Sequence, residues 1–566
     1  MDRIALMRKS VAIAAVLLAF TISAKEKPQP PFNVVEASIS DMQAALKSGR
    51  VTSHELVQQY ITRIATYEDK LHAAITVNPN ALKEADERDR ERASGKVRGP
   101  LHGIPIALKD NIQTTDMPTT GGALVFDGLV PPYEATVTKR LRDAGAIIIA
   151  KTQMTELANW VAGSPAPMPN NYNGLNGYGF NPYDPRRDPR TDTFDGRPAL
   201  NTGGSSSGAG TAANFWAANI GTETSGSILS PSNQNMLAGI KPTVGRISRY
   251  GVIPITADQD TPGPMAKFVT DAAIVLGVVE GPDPNDPATS KCAPQHDYTQ
   301  FLKADGLKGA RIGIPRAFYY DKVKAPGSER ERGGLSPDQL KVMNEAIDVL
   351  KKQGAVIVDP ADIPSVVDKN ADNNLLLFGV CTSMEDVKER KCSVDLAYGM
   401  ERDFNAWLKS LGDKAPVKTL TDLRNWNIAH TKGGAIKYGQ SLLDISDYMD
   451  LDTFKARYEA DRAKDIYLAG THGIDEVMKA NNLDALLFAD GIGANVAARP
   501  GYPSVIVPFG MVPNAPTPAF PDKFDAKPNP LGVTFTGMAC SEPTLLKLAY
   551  AFEQATKRRV PPPAVP

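Results

Sequence analysis

The stretch "ATVTKRLRDAGAIIIAKT" (Ala135–Thr152) reads as a helix, a glycine stop and a strand in immediate succession. The strand half, Ala146–Ala150, is apolar without alternation, and a strand with no polar face is one covered on both sides. The same grammar returns in "SPDQLKVMNEAIDVLKKQG" followed by "AVIVD", where Ser336 is placed as N-cap and Pro337 in the first helical turn. "LHGIPIALKD", "DALLFAD" and "PSVIVPFG" read as further buried strands. "VTSHELVQQYITRI" reads as a helix opened by a Thr52/Glu55 capping box, with Leu56, Tyr60, Ile61 and Ile64 on one face. Helices alternating with fully apolar strands predict an α/β fold whose sheet is covered on both faces.

The chain has 566 residues, 42% of them hydrophobic and 22% charged, enough to bury a sizeable core. Its net charge of −1 is dispersed, without a long basic run, which disfavours a nucleic-acid partner. The first residues differ from the rest. Arg3, Arg8 and Lys9 precede the apolar "VAIAAVLLAF", then "TISA" and the charged "KEK". That is the pattern of a secretory signal over residues 1–24, with cleavage expected after Ala24. The apolar run is short for a membrane span, so a soluble bacterial protein, periplasmic or secreted, is expected after cleavage; an uncleaved anchor is the alternative. Residues 25–566 are then one catalytic domain, with a long loop at 164–200 and a divergent part at 281–480.

Four cysteines are present, Cys292, Cys381, Cys392 and Cys540. An exported protein can oxidise a pair, and Cys381–Cys392 would close the shortest loop, although sequence alone does not establish that bond. There is no CxxC motif and the six histidines lie far apart, so neither a zinc site nor another metal or cofactor is expected.

Three features carry chemistry. The run "NTGGSSSGAGTA" (Asn201–Ala212) leads straight into an Ala-rich segment, unlike a linker, and lacks the lysine of a phosphate loop. Gly204, Ser206 and Gly208 satisfy the G-x-S-x-G of a hydrolase elbow. That reading needs a strand just before it, which "DGRPALNT" is not. It also needs a catalytic histidine, for which His296, His430 and His472 offer no recognisable setting. "IGTETSGSILSPS" (Ile220–Ser232) contains a Thr-Ser-Gly-Ser turn whose amides can converge on an anion. Lys109 ends the apolar "GIPIAL"; a lysine there either emerges into solvent or, held among apolar groups, loses its charge and becomes a neutral base.

Together these segments resemble the amidase signature family. The match runs through "GPLHGIPIALKDNI", "NTGGSSSGAGTAAN", "IGTETSGSILSPSNQNMLAGIKPTVGRISRYGVIPITADQDTPGPM" and "GVTFTGMACSEPTLLKLAYAFEQAT", in order, between residues 40 and 560. The flavour is that of bacterial peptide amidases and aryl acylamidases. The resemblance implies a large mixed β-sheet core with helices on both faces. It also implies hydrolysis of an amide carbon–nitrogen bond in a small-molecule substrate through a Ser–cis-Ser–Lys set and an acyl-enzyme. Mapped by motif, Ser227 is the nucleophile, Ser205 the bridging serine after a cis Gly204–Ser205 bond, and Lys109 the base. Ser206 supports them, and the amides of Thr224, Ser225, Gly226 and Ser227 hold the oxyanion.

Two departures stand out. The Ser205–Ser227 spacing is about two residues shorter than the family pattern, with the loss between Ser207 and Ala213. Ser225 and Leu229 replace residues more usual at the pocket edge. The rival functions are a membrane-anchored fatty-amide hydrolase, a glutamine amidase subunit of an amidotransferase, an α/β-hydrolase esterase of Ser-His-Asp type, and a non-catalytic binding protein. Tyr172, Tyr178, Phe180 and Tyr183 in the long loop either line an apolar substrate mouth or pack the loop onto the body.

Overall fold

The capping box at Thr52 starts the helix Ser53–Leu71: the Thr52 hydroxyl accepts from the Glu55 amide at 3.1 Å, and the Glu55 carboxylate accepts from the Thr52 amide at 2.8 Å. Leu56, Tyr60 and Ile64 are the buried stripe of this helix, while Ile61 is only half-buried at its margin. These features belong to a computed structural model that describes residues 30–190, 195–204 and 208–566. The expected signal segment lies outside the described residues, as do Ser205, Ser206 and the cis bond expected before Ser205.

The core is an eleven-stranded sheet. In chain order its strands are β1 (Ala74–Val77), β2 (Pro105–Lys109), β3 (Ile147–Thr152), β4 (Ala218–Glu223), β5 (Ala238–Lys241), β6 (Thr261–Ala266), β7 (Arg311–Gly313), β8 (Val356–Val358), β9 (Ala485–Ala489), β10 (Ser504–Val512) and β11 (Asn529–Thr536). Across the sheet they run β1-β3-β2-β4-β6-β5-β10-β11-β9-β7-β8. Strands β3, β2 and β4 are mutually parallel, as are β9, β7 and β8. The middle from β4 to β9 is antiparallel. The sheet is therefore mixed, as expected. Every residue of β2, β3, β4, β6 and β9 is buried, which requires cover on both faces.

The quoted stretch folds as it reads. The helix Thr136–Asp143 stops at Gly145, whose φ of +81° is open to glycine without strain, and β3 follows. The helix Pro337–Lys352 has Ser336 as N-cap and Pro337 in its first turn, and β8 follows.

The divergent part is mostly helical. The helices Asp395–Ser410, Leu420–Ala429 and Ser441–Asp447 build a second apolar cluster, in which Phe404 and Trp407 pack on Phe126. Two disulfides are present, Cys381–Cys392 and Cys292–Cys540. The second ties the loop before β7 to the turn before the helix Glu542–Thr556, a pairing that sequence spacing gives no reason to choose. Among the described residues no helix is long and apolar enough to cross a membrane.

In the long loop, Tyr178, Phe180 and Tyr183 are buried. Tyr172 and Tyr178 stand 4.9 Å apart and gather Tyr438, while Tyr183 donates its hydroxyl to the Val560 carbonyl. These rings pack the loop onto the body.

Candidate active site

Strands β2 and β4 are parallel neighbours, so their C-terminal ends open on the same edge of the sheet, where α/β folds collect their sites. Lys109 ends β2. Strand β4 ends at Glu223 and runs into the turn Thr224–Ile228, after which the short helix Leu229–Gln234 begins. The two sequence motifs thereby meet through Thr222: Lys109 Nζ donates to its hydroxyl at 2.7 Å and to its carbonyl at 3.0 Å. Asn111 Nδ2 donates to the same hydroxyl at 3.0 Å.

Lys109 does not emerge into solvent. It is fully buried, and loss of hydration pushes its pKa down from 10.5 to about 7, partly opposed by the carboxylates of Asp260 and Glu223. Lys151, Lys241 and Lys267 are also fully buried. Lys151 pairs with the buried Asp110 at 3.3 Å, Lys241 donates to the Tyr502 carbonyl and Lys267 to Asn214. Of the four, Lys109 is the one whose ammonium nitrogen reaches the strand leading into the Ser227 turn.

The turn is held from inside. Glu223 Oε2 accepts from the Ile228 amide at 2.7 Å and the Leu229 amide at 3.0 Å, folding the chain back over its own carboxylate. Thr224 donates its hydroxyl to the buried Asp260. Gly226 sits at φ +88°, a left-handed conformation that side-chain-bearing residues rarely adopt. Among the described residues the amides of Ser225, Gly226 and Ser227 make no hydrogen bond within the protein. Ser225 is exposed and Ser227 half-buried, so this face of the turn is open to a ligand.

The serine run arrives at the same place. Gly203, at φ +83°, lies so close to Pro231 that a Cβ would stand 2.4 Å from its Cα. A Cβ on Gly204 would stand 3.1 Å from Ser227 Cα and 3.5 Å from Ser227 Oγ. Gly204 donates its amide to Ser230 Oγ at 3.2 Å. The residue before Ser205 is thus in contact with Ser227, although the two are more than twenty positions apart in sequence. The shortened stretch resumes as a five-residue helix, Gly208–Ala212. Its glycines are required by packing: a Cβ on Gly208 would be 2.9 Å from the Pro231 carbonyl oxygen, and one on Gly210 would be 2.1 Å from the Trp216 ring.

Two of the three histidines of the elbow reading, His430 and His472, are occupied elsewhere. His472 lies between Glu476 at 2.8 Å and Asp368 at 3.0 Å, and His430 is stacked on Trp426 with Nδ1 against the Trp426 carbonyl. Sequence reasoning passed over Thr222, Glu223, Asn111 and Asp260. All four lie inside the motif segments; Glu223 is a lone carboxylate in the run Ala218–Ser227 and so carried a signal, whereas Asp260, next to Gln259 and Asp258, carried none.

A cleft of about 770 Å³ lies alongside. Asn170, Asn201, Asn233, Gln234, Asp490 and Asn514 are among the residues that line it. The cleft adjoins the helix Leu229–Gln234 that follows the turn, through Asn233 and Gln234, and among the described residues none from Thr224 to Ile228 lines it.

The chain belongs to the amidase family: the family model described as Amidase matches residues 55–546. With the eleven-stranded mixed sheet, this makes it a hydrolase of amide carbon–nitrogen bonds with the amidase signature fold. A probable amidase of Arabidopsis thaliana is 32% identical over 557 residues, covering 97% of this chain and 95% of the relative. A glutamyl-tRNA(Gln) amidotransferase subunit of Chloroflexus aurantiacus is 38% identical over 325 residues, 57% of this chain and 60% of the relative. Among solved structures, the native peptide amidase of Stenotrophomonas maltophilia is 34% identical, with a TM-score of 0.77 over 94% of this chain and 99% of its own.

Proposed function

We propose that the protein is an exported amidase that cleaves linear amides through Ser227, with Ser205 as relay and Lys109 as base. The observation that carries this reading is the buried Lys109 ammonium bonded to Thr222, five residues before Ser227, beside a turn whose amides are unengaged. A hydroxyl is a weak nucleophile near neutral pH and needs a base within reach. Neutral Lys109 takes a proton from Ser205 as Ser205 takes one from Ser227. Ser227 Oγ then attacks the amide carbonyl carbon, and the carbonyl oxygen gains the negative charge. The amides of Ser225, Gly226 and Ser227, with Thr224 at the start of the turn, stabilise that charge, and they need no reorganisation because nothing in the protein occupies them. Collapse of the tetrahedral adduct breaks the carbon–nitrogen bond, and the proton held by Lys109 returns through Ser205 to the departing amine. Water then attacks the acyl-Ser227 ester by the same route and releases the acid. Ser206 supports the relay.

For substrate, an acyl part with its own amide groups is favoured, because Asn170 and Gln234 line the cleft and the Gln234 side-chain oxygen has no hydrogen-bond partner among the described residues. This agrees with the structural likeness to peptide amidase. Export rests on the signal-like N-terminus and is supported by two disulfides, which persist in oxidising compartments. The same disulfides weigh against a cytoplasmic amidotransferase subunit.

The test is a panel of peptide amides, aryl anilides, fatty amides and carbamates assayed with the native protein and with Ser227→Ala and Lys109→Ala. Full amide hydrolysis by both variants would refute the mechanism. Fractionation of expressing cells, with N-terminal sequencing of the mature chain, tests export and the cut after Ala24.

A further inference from the structure

We propose that Asp260 is a positioning residue for amide cleavage: it fixes the oxyanion turn through Thr224 and places a negative charge beside Lys109. The inference rests on the catalytic reading of Lys109 and Ser227 and adds a residue to it. Asp260 lies just before β6, the strand antiparallel to β4, and its carboxylate is buried. One oxygen accepts the backbone amides of Ile255 at 2.8 Å and Thr256 at 3.0 Å, and the other accepts the Thr224 hydroxyl. Thr224 opens the turn that presents the Ser225, Gly226 and Ser227 amides, so the carboxylate anchors that turn to a neighbouring strand rather than to solvent.

The second half of the role follows from what surrounds the two groups. Thr222, which holds Lys109, and Thr224, which is held by Asp260, line one cavity of about 10 Å³ together with Asn111 and Asp260 itself. Lys109 is faced, among the described residues, by the carboxylates of Asp260 and Glu223. Glu223 is committed to the Ile228 and Leu229 amides. Asp260 is faced by Lys109, by Arg249 and by Asp403. Arg249 is held by Asp286 at 2.5 Å and Asp403 by Arg402 at 2.7 Å, so each already has its own counter-charge. Burial raises Asp260 to about 6, which leaves it ionised where Lys109 becomes neutral. The charge of Asp260 therefore keeps the Lys109 pKa from falling further, so that the base can still hold the proton it must later return to the leaving amine.

The two halves have different signatures. In Asp260→Asn, kcat is expected to fall by about 10- to 100-fold with KM little changed, because a misplaced oxyanion turn costs transition-state rather than ground-state binding. The acid limb of its kcat/KM profile is expected to move to lower pH, because removing a negative charge lowers the Lys109 pKa. A purely structural loss would not move that limb. Thr224→Val should lower kcat without moving the acid limb, and Thr224→Ser should restore it. Wild-type kcat in both Asp260→Asn and Thr224→Val overturns the proposal. A lowered kcat with an unmoved acid limb in Asp260→Asn overturns its electrostatic half. If Asp260→Asn does not fold, Thr224→Val decides alone, and full kcat there overturns the proposal. Ser227→Ala, run in parallel, separates the levels. An active Ser227→Ala sinks the catalytic reading itself, whereas an inactive Ser227→Ala beside fully active Asp260→Asn and Thr224→Val sinks this inference only.

Discussion

Lys109 Nζ donates to the Thr222 hydroxyl at 2.7 Å from within a core that leaves none of the lysine exposed. Thr222 lies on β4, the strand that carries the chain to Ser227. A charged lysine in this position is desolvated, and its pKa is lowered to about 7. The catalytic form on the proposed mechanism is neutral, so activity is expected to rise as pH increases through about 7. Below that, kcat/KM should drop about tenfold per pH unit as the proton returns. Lys109→Met is expected to lose about 10²- to 10⁴-fold in kcat, and Lys109→Arg should not rescue it, because a guanidinium stays protonated. A pH–rate profile flat between pH 5 and 8 in the native enzyme would contradict the assignment.

Much of the sheet was legible because its strands are buried on both faces and carry no polar alternation, as Ile147–Ile149 and Ala485–Ala489 show. Caps at Thr52 and Ser336 fixed where helices begin, since a side chain that satisfies an orphan amide is a local event. What stayed hidden is what depends on pairing across the chain. No period or spacing tells β4 to lie between β2 and β6, and without that pairing Asp260 has no visible link to Thr224. The Cys292–Cys540 bond was hidden for the same reason. Lys109 itself was ambiguous until its strand was seen to end against Thr222 rather than at the surface. The aromatic residues of the 164–200 loop had two readings in the sequence, a substrate mouth or packing onto the body, and contacts with Tyr438 and Val560 support the packing reading.

Glu223 offers a separate test of the turn. Its Oε2 satisfies the amides of Ile228 and Leu229, both buried residues. Glu223→Ala strands two amide donors, each worth about 1–3 kcal/mol when left unsatisfied. Chemical denaturation should show a destabilisation of that order, together with loss of activity as the turn relaxes. Glu223→Gln keeps an acceptor oxygen and should fall between the two. Native stability and native kcat in Glu223→Ala would show that the carboxylate does not shape the turn.

The shortened stretch after the serine run is predicted to be intolerant at Gly210. A methyl group there would meet the Trp216 ring at 2.1 Å, and Trp216 is fully buried with its indole N–H donated to Thr211 at 2.7 Å. The ring cannot withdraw without breaking that bond, so Gly210→Ala should cost about 1–3 kcal/mol, the usual range for overpacking. Gly433→Ala is the control, because nothing lies within 4 Å of its added carbon. It should stay within about 0.5 kcal/mol of the native protein. Equal melting temperatures for the two variants would mean that the helix Gly208–Ala212 yields more readily than its packing implies.

The two disulfides should contribute unequally, because they close loops of very different length. Cys381–Cys392 spans 11 positions and Cys292–Cys540 spans 248. On the chain-entropy account, cross-linking restricts the unfolded chain by an amount that grows with the logarithm of the loop, about 3 kcal/mol for the short one and about 5 kcal/mol for the long one. The long bond also joins the loop before β7 to the turn before the helix Glu542–Thr556, where the Cys540 amide donates to Thr243 at 2.8 Å. Cys292→Ala/Cys540→Ala should therefore unfold at lower denaturant than Cys381→Ala/Cys392→Ala, and both below the native protein. Neither pair touches the Ser227 turn, so kcat at 25 °C should survive in either variant while the folded fraction is high. A larger loss from the short bond would place the stabilisation in local contacts of the helical part, such as the Arg457 guanidinium on the Cys392 carbonyl at 3.2 Å, rather than in the entropy of the unfolded chain.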